Sequence, residues 1–192
     1  MLVRSVTKDG QTWRLGTSAE VAWIQEGTSP GLTINAAVPL KFEAYITLAL
    51  PDGGERQELH DRTVLTLLRR NTADQLWWLG YLDTGTHDVV FPGAPTVTLY
   101  TGWHYVLVKA GPEQAATWRC PGYAEGPFAK GALPDLMFPA DLSWLFSTLW
   151  DDDWSCLGGP ARLAADFLSH PDLEARQVTP GQDATPPGHT AY

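Results

Sequence analysis

Cysteine is nearly missing from this chain: its 192 residues hold only Cys120 and Cys156, without CxxC spacing. Two thiols so placed exclude a disulfide-stapled scaffold and point to a reducing, cytoplasmic setting. Long apolar runs are absent as well. No stretch approaches the length of a membrane span, and the opening MLVRSVTKDGQTW lacks the apolar core of a secretory leader. GxSxG, Walker A, GxGxxG, HxH, HExxH and EF-hand spacings do not occur, so no motif announces acyl transfer, nucleotide binding, zinc or a calcium loop. There is no internal repeat.

Positive charge is the last scarce item, and its scarcity is local. Residues 1–119 carry 12 acidic and 10 basic side chains, whereas residues 120–192 carry 10 acidic and 3 basic, so most of the net −9 lies in the second stretch. Between positions 131 and 161 there are five aspartates and no lysine or arginine. Such a field repels phosphate backbones. It argues against nucleic acid and anionic membranes as partners and favours a basic protein or a cation.

What is present suffices for one domain. Surface scaling gives an unfolded area of about 30,600 Å² against about 9,000 Å² folded, so roughly 70% is buried. The expected globular unit is residues 1–177. The remainder, VTPGQDATPPGHTAY over 178–192, has the composition of a disordered tail.

Along the chain, Leu2–Thr7 and Gln11–Leu15 read as strands joined by a Lys8-Asp9-Gly10 turn. Thr17 and Glu20 form a capping box ahead of Val21, Ala22, Trp23 and Ile24, and Gly27 closes that helix. The clearest strand is Lys41–Leu50, with Phe42, Ala44, Ile46, Leu48 and Leu50 on one face. His60–Asn71 is helical, burying Val64, Leu65, Leu67 and Leu68 and presenting Arg62, Thr66 and Arg69 to solvent. QLWWLGYL over 75–82 reads as a central strand, and Val97–Tyr100 with Trp103–Lys109 as a hairpin about Thr101-Gly102. Pro112 opens a short helix, and residues 119–139, with four prolines and three glycines, form a long irregular connection that reads as either a lid or a packed loop.

The segment from Pro134 to Ala175 carries the sharpest chemistry. Trp144–Trp150 alternates as a strand, Asp151-Asp152-Asp153 makes a hairpin loop, and Trp154–Leu157 returns. Trp150 and Trp154 then face one another across it. Gly158-Gly159 breaks the extended pattern, Pro160 suits a first helical position, and Pro171 ends the helix that follows.

VPLKFEAY (38–45), LLRRNTADQLWWLGYLDTG (67–85), YVLVKAGP (105–112) and the opening stretch together resemble an uncharacterised actinobacterial-type family of small acidic, tryptophan-rich proteins. The resemblance covers most of residues 38–175 and is one of layout. It implies a shared fold and an intracellular bacterial setting, and it carries no activity to any residue.

In an extended backbone, Asp151 and Asp153 point the same way with Cα atoms roughly 6.5–7 Å apart. That pair is able to share Mg²⁺ or Ca²⁺, with Asp141 and Glu174 the nearest further acids. A solvated hairpin tip is the plainer account. His60, His87, His104 and His170 are scattered, and Cys156 reads as a small buried apolar residue. Among the nine tryptophans, Trp77, Trp103 and Trp150 stand nearest to loops. Arg62, Arg69 and Arg70 read as a solvated helix face.

The sequence therefore predicts an α+β domain, a mainly antiparallel sheet with three or four helices on one side. The function expected first is non-catalytic binding of a cationic protein by the acidic 131–161 surface, in an immunity-type or regulatory role, through Asp151, Asp152, Asp153, Trp150, Trp154 and Asp141. The alternatives are a divalent-metal enzyme on Asp151 and Asp153, or a small-molecule binder with 119–139 as its lid.

Overall fold

In the computed structural model, which describes residues 4–52, 54–83, 90–119, 132–149 and 152–190, ten strands form one sheet in which every pairing is antiparallel. The chain enters it through β1 (Ser5–Lys8) and β2 (Gln11–Leu15). Their connection is a two-residue turn with Asp9 and Gly10 at φ 53° and 72°, the left-handed pair whose twist suits a hairpin. α1 (Ser18–Gly27) follows behind the expected capping box: Thr17 Oγ1 accepts from Ala19 N–H, and the Glu20 carboxylate accepts from Thr17 N–H at 2.8 Å.

The rest of the order is β3 (Ala44–Ala49), α2 (Gly54–Arg70), β4 (Trp77–Leu82), β5 (Val97–Leu99), β6 (Trp103–Ala110) and α3 (Pro112–Thr117). Then come β7 (Leu136–Pro139), β8 (Leu145–Ser147), β9 (Trp154–Gly159), α4 (Ala161–Leu168) and β10 (Ala175–Val178). Across the sheet the strands lie β1-β2-β6-β4-β7-β8-β9-β3-β10, with β5 pairing β6 beside β2. Neighbours alternate in direction. β3, β4 and β8 therefore finish at one end of the sheet, where β7, β9 and β10 begin.

All residues of β3, β4, β7, β8 and β9 are buried, so both faces need cover. Alternation sends Ala44, Ile46, Leu48, Trp77, Leu79, Phe146 and Leu157 to a core shared with Val64, Leu67, Ala115, Leu163 and Phe167 of α2, α3 and α4. Tyr45, Trp78, Leu107, Phe138, Leu145 and Cys156 meet Val21 and Ile24 of α1 on the other face. The fold is α+β as predicted, but the helices lie on both sides. One face alone would leave half of this apolar sheet in water.

Four further differences have physical causes. β7 sits inside the stretch expected to be irregular; its four residues are buried from both faces, which erases any period of two. Gly158 and Gly159 belong to β9, where they pair with Tyr45 and Ala44 and admit close neighbours. A Cβ on Gly158 meets Val38 and Phe42 carbons at 2.5 Å. α2 starts at Gly54, six residues before the predicted helix, because its first turns bury polar side chains. The segment after β10 is laid against the domain: Asp183 bridges Thr33, Ala184 is fully buried, and Arg176 Nη2 donates to the carbonyls of Asp183 and Thr185. Composition predicts disorder there because it does not see these long-range anchors.

The accessible surface is 9756 Å², close to the scaling value. Among the described residues no helix is long and apolar enough to cross a membrane.

Two tests follow from this packing. Gly158→Ala forces a methyl into the Val38–Phe42 contact and is expected to cost about 1–3 kcal/mol. Gly181→Ala, with nothing within 4 Å of its Cβ, is expected to stay within about 0.5 kcal/mol of the parent. Urea unfolding with an unchanged slope checks both. Burial also holds the phenols of Tyr81, Tyr100 and Tyr105 well above the ordinary tyrosine range. The folded state favours their neutral form, so this stability is whole below about pH 10 and is lost as pH rises above it. Phenolate absorbance from these three is expected to appear together with loss of circular dichroism; ionisation in a chain that stays folded would contradict the burial.

Candidate functional site

β9, β3 and β10 are consecutive neighbours, and their loops emerge side by side at the end of the sheet where β3 finishes. Leu50 N–H donates to Asp153 O at 2.9 Å, and Ala49 N–H donates to Glu174 O at 3.1 Å. These backbone bonds bring the loop before β9, the turn after β3 and the loop before β10 together. Asp52, Asp153, Asp172 and Glu174 arrive with them. The first turns of α2 form the opposite wall, through Arg56, Leu59 and His60, and the chain end contributes His189. Between them is a crevice of about 350 Å³.

Its chemistry is acidic over an apolar lining. His189 Nδ1 lies 2.7 Å from Asp153 Oδ1, and Arg56 approaches Glu174 at 3.6 Å with both side chains about three-quarters exposed. An ion pair that open contributes little. Leu50, Leu59 and Leu173 line the walls, and His60, 1% exposed, lines the inner end.

Behind His60 is a closed polar unit. Its Nδ1 is 3.1 Å from Asp61 Oδ1, Gln57 Nε2 donates to the same oxygen at 2.8 Å, and Ala132 N–H donates to Asp61 Oδ2 at 2.8 Å. A carboxylate only accepts, so Nδ1 carries a proton, and in the neutral ring the lone pair is on Nε2. Nε2 is buried without a hydrogen-bond partner. No hydroxyl or thiol among the described residues is hydrogen-bonded to it.

A second buried unit ties β4 to β7 and β8 at this end. Arg119 makes a two-pronged pair with Asp135 and also donates to Leu133 O at 2.6 Å. Leu82 N–H donates to Asp135 Oδ2 and Thr148 N–H to Asp135 O, both at 2.8 Å. The guanidinium stacks 5.5 Å from the Tyr81 ring centroid. This is a structural clasp, with its charge spent internally.

The acidic stretch 131–161 is thus not one surface. Asp135 is inside, paired with Arg119. Asp141 lies in the β7–β8 turn at the opposite end of the sheet, since β7 runs away from the crevice and β8 runs back. It is held there by Gln75 Nε2 at 2.8 Å and Ser143 N–H at 3.0 Å. Burial works to raise its pKa, but these hydrogen bonds outweigh that and keep it below the usual carboxylate range. Asp153 is exposed at the crevice rim, and Asp152 N–H donates to Leu149 O at 3.3 Å. Trp154 is a core residue. Trp150 and Asp151 lie outside the described residues, as do His87, Cys120 and most of the predicted lid. The predicted Trp150–Trp154 pair and Asp151–Asp153 cation pair each include one of these residues and so lie outside the described residues.

Trp77 packs edge-on against Trp144 at 4.9 Å in the core, and Trp103 packs against Tyr100. Cys156 is buried, which pushes its thiol well above the ordinary range. Among the described residues no three histidine, cysteine or acidic side chains are grouped to hold a metal ion.

Of the sequence-predicted residues, Asp153 and the flanking Glu174 meet at the crevice. The buried polar group beside the crevice that sequence reading missed is Gln57, His60 and Asp61. Their signal is spacing: Gln57, His60, Asp61 and Val64 continue the i, i+3, i+4, i+7 stripe of Leu67 and Leu68, so the buried face of α2 extends through polar residues. No family model, curated protein or solved structure matches the chain.

The two aspartates, inside and outside, separate cleanly by mutation. Asp61→Ala strands two buried donors and one half-buried donor and is expected to cost about 3 kcal/mol or more. Asp141→Ala, in an exposed turn, is expected to cost about 1 kcal/mol or less. Equal costs in urea unfolding would contradict this assignment.

Proposed function

We propose that the protein is a non-catalytic binding protein that takes up a cationic protein partner at the acidic crevice. The observation that carries this reading is the gathering of Asp52, Asp172 and Glu174 in the crevice lining, with Asp153 joined to them through His189 and Arg56 the one arginine or lysine among the described lining residues. Three lining carboxylates and the nearby Asp153 against one guanidinium, with His189 beside Asp153 and His170 3.8 Å from Asp172, give the crevice an acidic rim that steers a basic surface into register and sets the salt dependence of capture. A neutralising or regulatory role toward a basic protein is the use that fits such a surface.

Fluorescence anisotropy with a labelled decalysine peptide tests it. Binding is expected to weaken about tenfold between low and moderate salt, where screening shortens the reach of the field. Asp52→Asn/Asp172→Asn/Glu174→Gln is expected to weaken it by a similar factor, while Asp141→Asn at the far end leaves it unchanged. Affinity indifferent to salt and to the triple variant, or equally reduced by Asp141→Asn, would sink the proposal.

A further inference from the structure

The acidic rim draws a cation, but the inner end of the crevice says which one. His60 is nine-tenths buried and more, its Nδ1 is committed to Asp61, and its Nε2 has no partner. Asp61 in turn is surrounded by neutral donors, Gln57 Nε2 and Ala132 N–H, besides the imidazole. His60 lines the crevice, its neutral ring has an unpartnered acceptor on Nε2, and among the described residues no arginine or lysine pairs with the carboxylate behind it. A buried acceptor and a buried negative charge are both costly unless paired. One group satisfies both: a donor that is also a cation.

We infer that the crevice is a pocket for a single lysine side chain of the partner, whose ammonium donates to His60 Nε2. This rests on the acidic-crevice reading and narrows it to one residue type. Leu50, Leu59 and Leu173 offer an apolar wall to the four-carbon stem, the arrangement by which long cationic side chains bury carbon and place their charge. Asp172 and Glu174 at the rim meet further positive charge flanking that lysine. Arginine fits less well, because its planar fork of five donors calls for paired, coplanar acceptors, whereas Nε2 is one point. Entry requires Arg56 and Leu59, both exposed on the first turns of α2, to swing aside.

The probes are Nα-acetyl-lysine-N-methylamide, its norleucine and arginine counterparts, putrescine, and the decalysine peptide, each titrated into the full chain. Long-range ¹H–¹⁵N spectra follow the His60 ring nitrogens. The lysine amide is expected to move Nε2 saturably, the norleucine amide to leave it in place, and the arginine amide to bind at least about fivefold more weakly. His60→Phe, which keeps the volume and removes the acceptor, is expected to weaken the lysine amide at least about tenfold. Salt-sensitive decalysine binding with Nε2 unmoved by the lysine amide would overturn the lysine pocket and leave the acidic-surface reading standing. Failure of both ligands to bind would overturn both. Tighter binding of putrescine than of the lysine amide would overturn a partner's lysine as the occupant. If His60→Phe does not fold, the spectra of the unaltered protein decide alone.

Discussion

Alternation of strand direction governs this molecule more than any single contact. In an all-antiparallel sheet, a loop's end of the sheet is fixed by the strand that precedes it, and whether two loops meet is fixed by whether their strands are neighbours. β9, β3 and β10 are neighbours, so the acids at 52, 153, 172 and 174 converge although they are spread over more than a hundred positions. Asp141 is only twelve residues from Asp153, yet one strand reversal puts it at the other end. Charge density along the chain is therefore a poor guide to charge density in space. The five aspartates divide into Asp135 in a buried ion pair, Asp141 in a turn clasp, and Asp152 and Asp153 in the loop before β9, together with Asp151, which lies outside the described residues.

The two buried carboxylates illustrate how differently the same group is used. Asp135 is satisfied by Arg119 and by Leu82 N–H, and breaking such a pair typically costs about 3–5 kcal/mol because the surviving charge is left inside. Its work is to fasten the upper ends of β4, β7 and β8. Asp61 has comparable burial but no guanidinium. Its hydrogen-bond donors are an amide, a backbone N–H and an imidazole, none of which is a permanently charged guanidinium. That difference, and not the count of acids nearby, separates a structural clasp from a group with unused capacity.

Much of the fold was legible in the sequence, and the reasons are local. The Asp9-Gly10 turn, the Thr17–Glu20 capping box and the alternation through Ala44–Ala49 each have chemistry that acts within a few residues. Both sides of β4 being apolar announced a central strand. What escaped was whatever depends on distant partners. β7 has no readable period because the sheet and both covering layers bury all four of its residues. The predicted helix begins only at His60, since the polar Gln57 and Asp61 do not extend an apolar stripe, and their hydrogen bonds come from Ala132 and from one another. The chain end was judged by its prolines and glycines, while Arg176, Ala184 and His189 anchor it. The site itself was half visible: Asp153 and Glu174 could be named, but not that His60 lines the same crevice as Glu174.

A cluster of like charges weakens the state that assembles it, so the crevice asks what holds it together. The answer lies in the backbone. Leu50 and Ala49 donate to the carbonyls of Asp153 and Glu174, continuing the sheet's hydrogen bonding one step past the last paired residues of β3. Of the acids, Asp153 and Glu174 are on that ladder, while Asp52 and Asp172 are not, and the Glu174 side chain is open to solvent. For the binding we propose, a cationic group would meet two acids whose backbone the sheet has already ordered, which lowers the entropy cost of forming the contact.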